Sequence, residues 1–139
     1  MIERIDSDRL VHEKDRILDL FQNYYLACKD IVGPEDLYRS LFQRLENGAL
    51  FLVWDDFGGF LIADKTTNAI SKRREAFIWT VLNPRPEMKP LVLDEVYKWA
   101  KSEELKAIVF MAENPVNFKK IVEPFGYQLK IGYFEKEVA

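Results

Sequence analysis

Apolar residues recur along the first third of the chain with the spacing of amphipathic helices. In residues 17–28 they return every three or four positions, which places them on one helical face. A second helix is predicted after the break at residues 33–34, since proline and acidic side chains favour the first turn of a helix. Its apolar face covers residues 37–45, and Asn47-Gly48 ends it. A short strand at residues 2–5 precedes both helices.

The pattern then changes to that of strands. Residues 50–54 and 59–63 are apolar runs separated by Asp55-Asp56-Phe57-Gly58, whose composition is typical of a turn, so they predict a hairpin. Residues 76–82 form a third, almost continuously apolar strand. Such runs are usually buried on both faces of a sheet, so we expect this strand to be central.

The second half predicts a crossover between parallel strands. A helix at residues 91–102 follows the third strand, and a further apolar strand follows at residues 107–112. A strand, a helix and a strand in this order favour a right-handed connection with the two strands parallel. A helix from Asn114 to Gly126 and one last strand, from about residue 127 to 138, complete an α/β fold with a mixed sheet. Its order is β-α-α-β-β-β-α-β-α-β.

The composition of the chain excludes several classes of function. The 139 residues suit a single domain, and the net charge of −3 argues against general nucleic-acid binding. The one cysteine, Cys28, excludes an intrachain disulfide, and its place on an apolar helical face favours a buried structural role over a reactive thiol. Neither a signal peptide nor a membrane span is predicted, and no zinc-binding spacing is present. We therefore expect a cytoplasmic protein without a metal.

The order of elements resembles that of the GNAT superfamily, the acetyl-CoA-dependent N-acetyltransferases. The local match is strongest from Asn114 to Gly126-Tyr127, where relatives carry Asn after a strand and Gly-Phe or Gly-Tyr after a short helix. The strand exit Leu82-Asn83-Pro84 is similar too. The resemblance implies that acetyl-CoA binds beside residues 80–82 and at the N-terminus of the next helix. The cofactor-binding candidates it implies are Val81, Leu82, Arg85, Met88, Lys89 and Asn114.

The pyrophosphate loop departs from the family pattern. Relatives place a glycine-rich loop before the helix, since glycine lets the backbone N–H groups approach phosphate. Here residues 84–90 read Pro-Arg-Pro-Glu-Met-Lys-Pro. Each proline removes an N–H donor, and Glu87 would repel phosphate. Arg85 and Lys89 supply compensating charge. The alternative interpretation is that the three prolines only stiffen the connection.

Candidates for acid–base chemistry are few. The family's general acid is a tyrosine four residues before the Gly of Gly-Phe, a position that Val122 occupies here. Glu75 and Glu113, at opposite ends of two strands, are candidate general bases, although each also suits a solvated strand end. His12, the only histidine, suits a capping or surface role better than catalysis.

Two functions follow from these observations. The first is an acyl-CoA-dependent N-acetyltransferase that acts on a small-molecule or peptide amine through an altered cofactor site. The second is a non-catalytic GNAT-like protein that binds a partner or a second copy through an exposed C-terminal edge strand. Short divergent GNAT-like proteins of this kind occur in bacteria and tailed phages, where some are thought to act in the virion or in host takeover.

Overall fold

The computed structural model describes residues 1–27, 33–111, 123–129 and 133–139. Within these ranges seven strands form one sheet in the order β1-β2-β3-β4-β5-β7-β6. The helices are α1 (Ser7–His12), α2 (Lys14–Ala27), α3 (Pro34–Glu46) and α4 (Lys89–Ser102). The strands are β1 (Glu3–Arg4), β2 (Leu50–Trp54), β3 (Gly59–Thr67), β4 (Arg74–Leu82), β5 (Ala107–Met111), β6 (Gln128–Leu129) and β7 (Tyr133–Glu137).

The chain divides into two compact units, and strands β3 and β4 each contribute to both. The first unit comprises Met1–Ile62 with Thr80–Pro86, and the second comprises Ala63–Trp79 with Glu87–Ala139. The prediction of a single domain over residues 1–139 concerns the chain as a whole, and it stays a prediction.

The first unit has an aromatic core. Phe21 of α2, Phe51 of β2 and Phe60 of β3 are fully buried. Their ring centroids lie 5.3 to 6.2 Å apart in tilted and edge-on arrangements, which aromatic pairs prefer. Tyr24 adds a fourth ring, edge-on to Phe60 at 5.2 Å. The predicted apolar face of α2 is therefore the face that is buried.

The second unit contains the predicted parallel pair. The first half of β4 runs parallel to β5, with Glu75 opposite Ala107 and Phe77 opposite Val109. Helix α4 packs against β5 and buries Val92, Val96, Trp99 and Ala100. The fold class, the parallel pair and the helix between its strands are confirmed.

The C-terminus differs from the prediction of one final strand. Two short strands occur there, β6 and β7, and they pair antiparallel at Gln128 with Glu135 and Leu129 with Phe134. Strand β7 also pairs with β5 along its whole length, so it lies between two strands and β6 forms the edge. Alternation of polar and apolar residues has the same period in both strands, and it therefore carries no sign of a reversal between them.

The described helices lack the length and apolar character needed to cross a membrane.

Candidate functional site

The last residues of β4 are more exposed to solvent than the residues of its first half. Ile78 is 8% exposed, whereas Val81 is 46% exposed, and Thr80 and Leu82 are half-buried. An apolar side chain exposed at the end of a central strand is available to a ligand. Val81 and Leu82, two of the predicted cofactor residues, therefore lie at an accessible strand end.

A hydroxyl pair adjoins this strand end. The hydroxyl groups of Thr80 and Tyr24 share a hydrogen bond, and both side chains are half-buried. Sequence reasoning placed Tyr24 on the apolar face of α2 and assigned it no role. The sequence did contain a hint of this contact, namely a tyrosine hydroxyl on an otherwise apolar helical face. A buried tyrosine hydroxyl usually has a hydrogen-bond partner.

The turn between β2 and β3 is backbone-strained. Asp55, Asp56 and Phe57 have φ angles of 54°, 51° and 69°, in the left-handed region that costs non-glycine residues about 1–2 kcal/mol each. Arg16 of α2 holds this turn. Its guanidinium lies 3.9 Å from the centroid of the Phe57 ring and donates to the Asp56 carbonyl at 3.1 Å.

Arg85, a predicted phosphate ligand, holds the same turn from the other side. Its guanidinium donates to Oδ1 of Asp55 at 2.7 Å. The Asp55 side chain is 21% exposed and that of Arg85 51%, so this ion pair contributes only about 0–1 kcal/mol to stability. A second anion can therefore compete with Asp55 for Arg85.

Two acceptor atoms of this part of the chain are buried without a hydrogen-bond partner among the described residues. They are Oδ2 of Asp55 and Oδ1 of Asn83. Buried polar atoms are nearly always satisfied by protein or water. Asn83 and Asp55 were not predicted as site residues, since sequence alone does not show that the β2–β3 turn and the residues after β4 share an ion pair.

Helix α4 has a proline in its first turn, which favours a helix start, but it lacks a capping side chain and an acidic first-turn residue. Its cap residue Met88 makes no side-chain cap hydrogen bond, its first turn contains no acidic residue, and Pro90 lies in that turn. The first turn therefore carries no negative charge of its own, which suits an anion, although Glu87 lies directly before the cap residue. Met88 is buried at 7% exposure and Lys89 is half-buried, so Met88 fills space while Lys89 brings positive charge.

The candidate base Glu75 lies at the opposite end of β4 from Thr80. It is 6% exposed, and its carboxylate accepts from Arg73 at 2.7 Å. The same Arg73 nitrogen lies 2.9 Å from Glu135. The hydrogen bonds that Arg73 donates to Glu135 and then to Glu75 raise the pKa of Arg73 further above its ordinary value. Glu75 is thus held in an ion cluster, and its role as a base stays a prediction.

The remaining candidates contribute no described geometry to the site. Glu113, Asn114, Val122 and Cys28 lie outside the described residues. His12 is exposed in the last turn of α1, a surface position. Among the described residues, no group of acidic, histidine or cysteine side chains is arranged to hold a metal ion.

Solved structures resemble this chain over nearly its whole length. An acetyltransferase of the GNAT family from Staphylococcus aureus matches with a TM-score of 0.66 at 11% identity, and the match covers 100% of both chains. A ribosomal-protein-alanine N-acetyltransferase from Brucella melitensis matches with a TM-score of 0.69 at 13% identity over 99% of both chains. The chain has the GNAT fold.

A third solved structure that resembles this chain was determined with acetyl-CoA. A predicted acetyltransferase with acetyl-CoA from Clostridium acetobutylicum matches with a TM-score of 0.68 at 14% identity, covering 94% of this chain and 90% of the other. No protein-family model and no curated protein matches the sequence. At these identities the resemblance establishes the fold, and the residues of this chain must carry any argument about activity.

Proposed function

We propose that this protein binds acetyl-CoA along the segment from the end of β4 to the start of α4 and transfers the acetyl group to a primary amine. The observation that carries the proposal is the start of α4, which has no side-chain cap and no acidic residue in its first turn. A helix start of this kind attracts phosphate. The structural relative with acetyl-CoA supports the choice of ligand.

Each part of the cofactor has a matching feature. The half-exposed Val81 offers apolar contact to the pantetheine arm. Lys89, in the first turn of α4, supplies positive charge to the pyrophosphate. Arg85 can add a second charge only by leaving Asp55, to which it is paired. The prolines at 84, 86 and 90 donate no N–H, so we expect weaker binding than a glycine-rich loop provides.

Calorimetry with acetyl-CoA tests the phosphate site. Lys89→Ala should weaken binding about tenfold, since a hydrogen bond to a charged group contributes about 1.5–3 kcal/mol. Arg85→Ala should weaken it less, and Asp55→Asn should strengthen it, because the neutral amide no longer competes as an anion with phosphate for Arg85. Lys98→Ala is the matched control, because Lys98 lies on the same helix and pairs with Asp94. If wild type fails to bind acetyl-CoA at millimolar concentration, the proposed function is wrong.

Thiol release from acetyl-CoA tests the transfer. The acceptors to try are a peptide with a free N-terminal alanine, as the Brucella relative's name suggests, a lysine-containing peptide and spermidine. We expect at least one amine to accelerate thiol release over the protein-free rate and to appear acetylated in the mass spectrum. Cofactor binding without amine-dependent release would favour a binding role in place of catalysis.

Pairing with a protein partner or a second copy through the C-terminal edge is the second proposal. The edge strand is β6 rather than β7, and its described part covers Gln128–Leu129. An exposed strand edge invites pairing. Light scattering distinguishes a monomer from a dimer. A site of action in the cytoplasm, or in a virion or infected cell, remains part of the proposal.

A further inference from the structure

The β3–β4 hairpin ends in a turn whose conformation is held by hydrogen bonds. Oδ1 of Asn68 accepts from the backbone N–H groups of Ile70 and Ser71, each at 3.0 Å. The Asn68 N–H donates to the Arg73 carbonyl at 2.8 Å, and the Lys72 N–H donates to the Asn68 carbonyl at 2.9 Å. The turn is therefore preorganised, so that little conformational entropy is lost when a partner binds it.

This turn presents an isoleucine together with basic side chains. Ile70 is 94% exposed, and Lys72 and Arg74 are exposed as well. The Arg74 carbonyl accepts from the Lys106 N–H at 2.8 Å, which brings the exposed Lys106 to the same end of the sheet. Within the described part of the chain, none of these three cations belongs to an ion pair. We call the four residues the hairpin tip.

Helix α2 presents a surface of the opposite charge. Asp15, Asp19, Gln22 and Leu26 follow one another at steps of three or four residues and are all exposed. They therefore share one face of α2, on the side away from the buried Phe21. Leu26 is 61% exposed, and neither aspartate forms an ion pair with another described residue. We call these four residues the helix stripe.

We propose that the hairpin tip of one copy binds the helix stripe of a second copy. Each surface combines an exposed aliphatic side chain with charges, and the charges have opposite signs. Opposite charges speed association and fix the orientation of the partners, while contact between Ile70 and Leu26 removes apolar area from water. The tip belongs to the second unit and the stripe to the first, so the contact joins two different surfaces and leaves one of each unoccupied at the ends of a row of copies.

The distribution of charge favours a second copy over an anionic membrane as the partner. Residues 1–62 contain 7 basic and 12 acidic side chains, a balance of 7 − 12 = −5. A second copy therefore carries the acidic surface that the tip requires, whereas an anionic lipid surface would repel the acidic unit. The contact uses neither β6 nor the segment from β4 to α4, so it is independent of the proposed function and of pairing at the C-terminal edge.

Light scattering on two variants and on their mixture tests the proposal. Ile70→Asp adds an acid to the tip and Asp19→Lys adds a cation to the stripe, and both positions are exposed, so the fold should be preserved. In about 0.1 M salt, the wild-type mass should rise above that of the monomer as protein concentration increases. Each variant alone should associate about tenfold more weakly or less, because like charges now meet.

The mixture gives the sharper readout. The intact stripe of Ile70→Asp can bind the intact tip of Asp19→Lys, while the two altered surfaces repel their counterparts. An equimolar mixture should therefore form pairs and nothing larger. Glu46→Lys, which changes the charge by the same amount at an exposed position of α3, is the matched control and should associate like wild type. Raising the salt to about 1 M shortens the screening length to about 3 Å and should lower the wild-type mass.

Three results would overturn the proposal. The first is a wild type that stays monomeric at millimolar concentration, or a mixture that stays monomeric. The second is association that both variants retain, which would assign the contact to another surface such as β6. The third is binding to phosphatidylserine vesicles that Ile70→Asp abolishes while association is unchanged, which would assign the tip to a membrane surface.

Discussion

Polar side chains lie at both ends of strand β4, but the two ends differ in how fully those side chains are paired. At its start, Arg73 pairs with Glu75, Glu135 and the more exposed Glu137, so each charge has an opposite charge beside it. At its end, the Tyr24–Thr80 pair leaves one donor direction open. A closed cluster contributes mainly to stability, whereas unused hydrogen-bonding capacity in an accessible place is what a ligand requires.

Among substitutions of polar side chains, the largest effect on stability is expected when Arg73 is removed from the ion cluster at the start of β4. Arg73→Ala leaves Glu75 and Glu135 buried without their cation, and we expect a loss of roughly 2–4 kcal/mol in the free energy of unfolding, since Arg73 is itself partly exposed. Urea unfolding measures the change. Arg74→Ala, at the neighbouring exposed position, should change stability by less than about 0.5 kcal/mol. Equal effects of the two variants would mean that the cluster is not stabilising.

A smaller effect is expected when Glu75 loses only its charge. Glu75→Gln keeps the size of the side chain and one acceptor oxygen for Arg73, so the free energy of unfolding should fall by about 1–2 kcal/mol. The acetyl transfer rate per folded molecule should stay within about twofold of wild type, because Glu75 lies at the closed end. A tenfold or greater loss in the transfer rate would make Glu75 a candidate general base again. The start of β4 would then not be a purely stabilising region.

The smallest effect on stability is expected at the open end. Val81→Ala should change the free energy of unfolding by less than about 0.5 kcal/mol, as is usual for exposed positions. Its acetyl-CoA affinity should nevertheless fall about threefold, because apolar contact area is lost. Ile78→Ala, on the buried part of the same strand, should cost about 2–5 kcal/mol. Calorimetry and urea unfolding on both variants sharpen the contrast.

The sequence predicted the elements better than it predicted the polar contacts. Long apolar patterns identified β2, β4, β5 and the buried face of α2, because burial repeats with the period of each element. The reversal between β6 and β7 was missed, since both strands share one alternation. The start of α4 was placed at residue 91 rather than Lys89, because Pro90 reads as part of a loop although proline is favoured in the first turn.

The candidate site was predicted only in part. Val81, Leu82 and Lys89 lie at the strand end and the helix start that the resemblance indicated. Asp55 and Tyr24 were not assigned to the site, because each reaches it through a contact between residues 30 or more positions apart. Pair contacts of this kind depend on tertiary structure, and no local pattern in a single sequence encodes them.

The left-handed turn at Asp55, Asp56 and Phe57 has a consequence for the order of folding. A hairpin closes early when its turn residues favour the closed conformation. Asp tolerates the left-handed backbone of this turn, but Phe57, at a φ of 69°, does not favour it. Arg16 and Arg85, which hold this turn, lie 41 residues before and 28 residues after Phe57. We therefore expect the backbone hydrogen bonds between β2 and β3 to form first. The turn should adopt its native conformation only after α2 has packed against the sheet. In a φ-value experiment, Phe57 should form its native contacts late.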